Sequence, residues 1–377
     1  MFSRRKPYLI ISKLIPQPTW GGTYIITLKG FSHLPFLSNQ KIGQGYELFS
    51  GTKLLLNIND SSDPHFVPEI GSADETLTNK DFFPYKEGVD YVELSNVFDK
   101  TTTIPLIKIT QSFGNSFQIH LRQGQTHPHW IPKAESWYYL EPGLLSYGIK
   151  QGANMEEYKA ACLKIDKEML VLSQRIKLGE IDVASARSTA HAFISQLNPW
   201  KYVNIHSIEK HTLVDLSTGG IHHSWEEDKK NNPLGNVLLE VQQDRMDPIS
   251  TIRAFDRGKI KDDGSIRKIH VEDYFRLIDT DPKRNNLLFA LKKPQGKKLL
   301  FTPLYSLEIV EIEGPQKETQ VGPFSHLYVR AGRVNVSAPD GNVTLAQGHS
   351  CFVFKEAGDY TITPLVTNSV IIKTFIN

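Results

Sequence analysis

Short apolar runs, β-branched and aromatic in character and divided by turn residues, recur along the chain and predict a mainly β protein. Residues 24–28, 53–58, 106–109, 117–121 and 137–140 read as strands, and 212–216 and 237–241 continue the series. One stretch changes period. Between 156 and 197, Tyr158, Ala161, Cys162, Ile165, Met169, Leu172 and Ile176 fall at helical spacing. Gly179 ends that helix, Asp182 can cap a second one through Ala186, Ala190, Phe193 and Leu197, and Pro199 stops it. The pattern predicts a helical insertion at about 151–198 in a β protein.

After residue 297 a second β series begins, with runs at 327–329, 334–336, 351–354 and 370–373. Ala331-Gly332, Asp340-Gly341 and Gln347-Gly348 supply its turns, and such even spacing favours a small barrel or jelly roll. The polar stretch 279–286 reads as a linker. Two β domains are therefore expected, 1–280 carrying the helical insertion and 281–377.

Composition narrows the function classes. The chain has 377 residues, enough for two cores, with 40% hydrophobic and 22% charged residues, as in ordinary globular proteins. A formal net charge of +2 with scattered basic residues gives no footprint for nucleic acid. Cys162 and Cys351 lie far apart, so neither a disulfide framework nor a cysteine zinc cluster is available. Arg4, Arg5 and Lys6 precede an apolar run at 8–11, but Lys13 and Pro16 interrupt it too early for a signal peptide. No run approaches bilayer length, so no membrane partner and a cytoplasmic location are expected.

Candidate chemistry sits between the predicted strands. Gln118 and His120 are two apart in a strand and leave the same face. Lys133-Ala134-Glu135 leads into the next strand, and His222 follows a glycine turn. Imidazole, carboxylate and amide oxygen together suit a divalent ion such as zinc. By spacing alone the same residues are also ordinary barrel residues.

Further segments keep a fixed order around these: Pro18-Thr19-Trp20-Gly21-Gly22, Gly43-Gln44-Gly45-Tyr46-Glu47-Leu48, residues 105–108, Gln118-Ile119-His120, Lys133-Ala134-Glu135 and Gly219-Gly220-Ile221-His222. Glu240-Val241-Gln242-Gln243, Thr251-Ile252-Arg253-Ala254-Phe255-Asp256 and Arg267-Lys268-Ile269-His270 follow. As an ordered set they resemble the class I mannose-6-phosphate isomerases, a cupin family. That resemblance implies cupin-type (jelly-roll) barrels and a metal-dependent aldose–ketose isomerase interconverting mannose 6-phosphate and fructose 6-phosphate. It implies one Zn2+ per chain, or another divalent metal, held by Gln118, His120, Glu135 and His222. Arg253 and Lys133 would be catalytic, and Lys108 and Glu240 would bind the sugar phosphate.

His127, His129 and His223 are expected to be exposed or to lie behind the ligands, and His349 stands alone in a C-terminal domain expected to lack metal. The chain departs from the family in several places: a Pro-Gly-Asp turn upstream of His222 is missing, and the segment between Gln243 and Arg253 is longer than in bacterial members. Leu121-Arg122 stands where Pro-Asp or Pro-Asn is usual, and Ser217 replaces a proline. These departures motivate two rivals: an inactive cupin sugar-phosphate binding protein or sensor, and an isomerase of a different sugar. Nothing in the residues bears on oligomeric state.

Overall fold

The computed structural model describes residues 2–71, 88–99, 101–114, 116–224, 230–256 and 259–376, the side chains of 223 and 224 excepted. Strands account for 38% of the structure and helices for 21%, so the mainly β expectation holds. The chain folds as two compact units. Unit 1 comprises Met1–Gln111, Leu238–Asp244 and Lys292–Asn377; unit 2 comprises Ser112–Val237 and Arg245–Leu291. Among the described residues no helix is long and apolar enough to cross a membrane.

Unit 1 draws one sheet from both ends of the chain. Its strand order is Lys298–Phe301, Ser306–Ile312, Ser369–Phe375, Phe324–Ala331, Ser350–Phe354, Tyr8–Ile11, Lys53–Leu55 and Tyr91–Glu93. Tyr8 pairs with Phe352 and Leu9 with Cys351, antiparallel. The expected boundary near 280 therefore does not match the compact units, because the early strands complete the sheet of the late ones. Apolar runs announce strands but carry no record of which partner they choose. A second, four-stranded sheet contains Gln316–Thr319, Asp359–Pro364, Arg333–Ala338 and Gly341–Ala346.

One expected strand is a helix. Tyr24–Leu28 winds with Thr27 N–H on the Thr23 carbonyl and Lys29 N–H on that of Ile25, both at 3.1 Å. Ile25 and Ile26 are consecutive yet both buried, which a strand with one solvated face cannot arrange. The Gln111 side-chain oxygen accepts from Tyr24 N–H at 2.8 Å, satisfying a donor that the helix start leaves open. Tertiary packing overrides the β preference of the Tyr-Ile-Ile run.

Unit 2 carries the helical insertion where periodicity places it. Met155–Lys177 begins at Asn154, whose side chain accepts from Glu157 N–H, and Val183–Leu197 begins at Asp182, whose side chain accepts from Ser185 N–H. The helices bury Tyr158, Cys162, Ile165, Met169, Leu172, Ala186, Ala190 and Ile194 in one core. That core also takes Phe117, Ile119, Leu121, Ile221, Ile252 and Ala254 from a five-stranded sheet. The sheet runs Val203–Ile208, Gly143–Ile149, Gly220–Ser224, Phe117–His120 and Ile252–Phe255. Alternation then sends Gln118, His120, His222 and Arg253 to the opposite face.

The stretch 279–286 lies within unit 2 and is anchored through Asn285 rather than linking two units. Asn285 is buried, its amide donates to the Asp279 and Asp281 carbonyls, and its oxygen accepts from Ile149 N–H at 2.9 Å. Polar composition here reflects internal hydrogen bonds.

Candidate metal centre

Strand register builds the site. Tyr147 pairs with His222, His222 with Gln118, and Gln118 with Arg253, so one row of side chains crosses four neighbouring strands. In the next row His120 pairs with Gly220. Gly219 holds the turn before His222 with φ of 78°, and a Cβ there would lie 2.8 Å from the His120 carbonyl oxygen. A side chain at this point would push the His222 strand off its neighbour.

His120, Glu135 and His222 converge, offering ligand atoms within 4.8 Å of one another, and all three are buried. His120 Nδ1 lies 2.7 Å from the Ser250 carbonyl oxygen, and His222 Nδ1 lies 3.0 Å from that of Gly220. A carbonyl only accepts, so each Nδ1 carries the hydrogen. In the neutral imidazole, that leaves each Nε2 with a lone pair. His120 Nε2 stands 3.1 Å from Glu135 Oε2 and His222 Nε2 stands 3.8 Å from Oε1. Lone pairs facing a carboxylate across such distances call for a proton or a cation between them. Histidine metal ligands commonly hold their second ring nitrogen on a backbone carbonyl in this way.

Electrostatics agree. Burial works to raise the Glu135 carboxyl, but Lys133 and the two neighbouring histidines outweigh it and hold it well below the usual carboxylate range. Burial pushes the His222 imidazole down to about 4, against the opposing pull of Glu135. The group therefore combines an ionised carboxylate with two imidazole nitrogens, a set suited to zinc.

Gln118 joins from the same row. Its amide nitrogen lies 3.1 Å from His222 Nε2, and its oxygen accepts from Ser116 Oγ at 3.2 Å. Lys133 Nζ lies 3.1 Å from Glu135 Oε2 and 3.8 Å from Asp247 Oδ1. Arg253 is buried, donates through Nε to Ser116 Oγ at 3.1 Å, and pairs with Asp247 Oδ2. Asp247 thus holds both cations. It was not singled out from the sequence, because an isolated Asp-Pro opening the four-residue helix Asp247–Ser250 carries no periodic pattern.

Lys108 and Glu240 belong to unit 1, where Lys108 Nζ lies 3.1 Å from Glu240 Oε1 and Thr110 donates to Oε2 at 3.0 Å. Arg122 occupies the position where the family pattern has an acid or amide. It donates to Asp279 at 3.0 Å and to the Gly219 carbonyl at 3.2 Å, tying down the turn that delivers His222. His127 and His129 are at most partly buried, as expected, and the side chain of His223 lies outside the described residues.

Trp137 was also missed. Its indole N–H donates to Glu135 Oε1 at 2.5 Å, and its ring meets that of His222 edge to face at 5.2 Å. The signal was available, since Trp137 follows Glu135 by two and shares its strand face.

No protein-family model matches the chain, and no curated protein matches it by sequence. Solved structures do match over nearly the whole chain. The mannose 6-phosphate isomerase of Bacillus subtilis is 15% identical, with a TM-score of 0.61 over 98% of this chain and 100% of that one. A variant of phosphomannose isomerase from Salmonella typhimurium is 11% identical, with a TM-score of 0.62 over 98% of this chain and 99% of the other. A zinc-bound mannose 6-phosphate isomerase matches with the same identity, TM-score and coverage of both chains: 11%, 0.62, 98% and 99%. The chain has the fold of these enzymes, as the resemblance in its sequence implied.

Proposed function

We propose that this protein is a divalent-metal-dependent aldose–ketose isomerase that interconverts mannose 6-phosphate and fructose 6-phosphate. The observation that carries the reading is the pair of carbonyl-anchored histidines turning Nε2 toward one buried carboxylate. His120, Glu135 and His222 would hold the metal, with Gln118 beside them. When bound, a metal such as zinc supplies Lewis-acid polarisation of the sugar oxygens and orients the open chain.

The protein's own groups do the rest. Isomerisation takes a proton from C2 and returns it to C1, while the hydroxyl proton on O2 is lost and O1 gains one. Negative charge develops on oxygen between these transfers. Arg253 presents a fork of donors for that charge, and Ser116 and Asp247 fix its orientation. Lys133, held near Asp247 and Glu135, supplies a further donor to the same oxygens. Lys108 and Glu240 keep the substrate-binding role that the resemblance gave them.

The test is turnover of mannose 6-phosphate by purified protein loaded with zinc, manganese or cobalt. Activity should vanish on chelation and return with metal. Protein that binds metal and sugar phosphate without turnover would instead be the binding protein or sensor.

A further inference from the structure

We infer that Trp137 is a positioning residue of the metal group, fixing the rotation of the Glu135 carboxylate that turns Oε2 toward His120 and Oε1 toward His222. This rests on the metal reading proposed above. A glutamate carboxylate rotates about a broad, roughly two-fold torsion, so burial alone does not fix its oxygens. Here each oxygen has its own donor. Oε2 is met by Lys133 Nζ and His120 Nε2, both at 3.1 Å, whereas Oε1 receives the Trp137 N–H at 2.5 Å.

Trp137 is only 1% exposed, so its indole N–H has no water to fall back on, and Glu135 at 1% has none either. Breaking the bond would leave two buried polar groups unmatched, which opposes rotation of the carboxylate. The same indole stands perpendicular to the His222 ring, at 87°. One side chain therefore restrains two of the three converging groups without needing to touch a sugar. Its backbone is pinned in turn by pairing with Val214 in the strand Leu213–Asp215.

Removing such a partner weakens metal binding by 10–100-fold in general. Trp137→Phe keeps a ring against His222 and deletes only the donor. In chelator competition it should bind zinc about 10–100-fold more weakly than wild type, while kcat at saturating metal stays close to wild type. Cobalt titration should change wild-type tryptophan fluorescence, saturating near one equivalent, and this change should be largely lost in Trp137→Phe.

Zinc affinity of the variant within twofold of wild type would overturn the inference. Should the variant not fold, a wild-type fluorescence signal indifferent to cobalt binding would overturn it as well. A wild-type chain that binds neither zinc nor cobalt would sink the metal reading itself, a result distinct from either.

Discussion

Each unit buries a carboxylate, yet the two clusters differ in what balances the charge. In unit 2, Glu135 faces two imidazoles whose outer nitrogens are occupied by carbonyls, and Lys133 is the nearby cation. In unit 1, Glu47 is paired with Lys29 at 2.7 Å, both side chains fully buried. Ser12 and Ser350 donate to the two Glu47 oxygens at 3.1 and 2.8 Å. Lys29 also donates to the Gly348 carbonyl at 2.5 Å.

Among the described residues, the buried histidines of unit 1, His326 and His349, sit among different groups. Neither ring nitrogen of His326 has a hydrogen-bond partner among the described residues, and His349 packs edge-on to Phe31 and Phe66. The lesson concerns the neighbours of the acid more than its charge. A lysine-paired glutamate whose other contacts are serine hydroxyls gathers no further ligand atoms for a metal ion. A lysine-paired glutamate facing two imidazole nitrogens does.

The sharpest way to break this contrast is to remove a histidine from unit 2. His120→Ala and His222→Ala should each lose nearly all bound metal, as read by metal analysis of purified protein, with little change in fold. Unchanged stoichiometry in both would erase the distinction between the clusters.

Substitution in unit 1 should do the reverse. Glu47→Ala leaves the Lys29 ammonium buried without its acid and should cost about 3–5 kcal/mol in denaturant unfolding, with metal content intact. Replacing both partners, Lys29→Met with Glu47→Gln, should recover much of that loss.

Arg253→Ala tests whether the unit 2 cluster is catalytic as well as metal-binding. Loss of a charge-assisted contact in the transition state should cost on the order of 2–4 kcal/mol, roughly a hundredfold or more in kcat, at unchanged metal content. Arg253→Lys should restore only part, since it keeps charge without the planar fork.

The smallest effect is an acid sensitivity seated in unit 1. Burial and the nearby Lys29 charge push the His326 imidazole down from 6.5 to about 3, and the same causes hold His349 well below its ordinary value. Unfolding restores the ordinary value, so below pH 6.5 the unfolded chain binds more protons and stability is lost as pH drops, for His326 down to about 3. The expected slope is about 1.4 kcal/mol per pH unit for each histidine. Unfolding titrations of His326→Leu should show a slope shallower by that amount, and equal slopes would remove His326 from the account.

What was legible in the sequence follows the same division between local and distant information. Periodicity, Gly179 and the Asp182 cap located the two insertion helices, because such signals act within a few residues of themselves. Alternation put Gln118 and His120 on one face. Pairing across the chain was not legible. Glu47 and Ser350 meet across 303 residues, and no local pattern anticipates that contact. The same holds for the helix at Tyr24–Leu28, whose first amide depends on Gln111, 87 residues away.

The strand order of unit 1 has a consequence for biosynthesis. Ser369–Phe375 lies between Ser306–Ile312 and Phe324–Ala331, inside the sheet rather than at its edge. It leaves the ribosome after every one of its sheet neighbours, so the Tyr8–Ile11 strand and its partners must wait for almost the whole chain before the sheet can close. Most of unit 2, from Ser112 to Val237, emerges during that wait and can collapse onto its own helices first. A ribosome that stops short of residue 369 would release unit 1 with two adjacent strand edges unpaired, an invitation to aggregation.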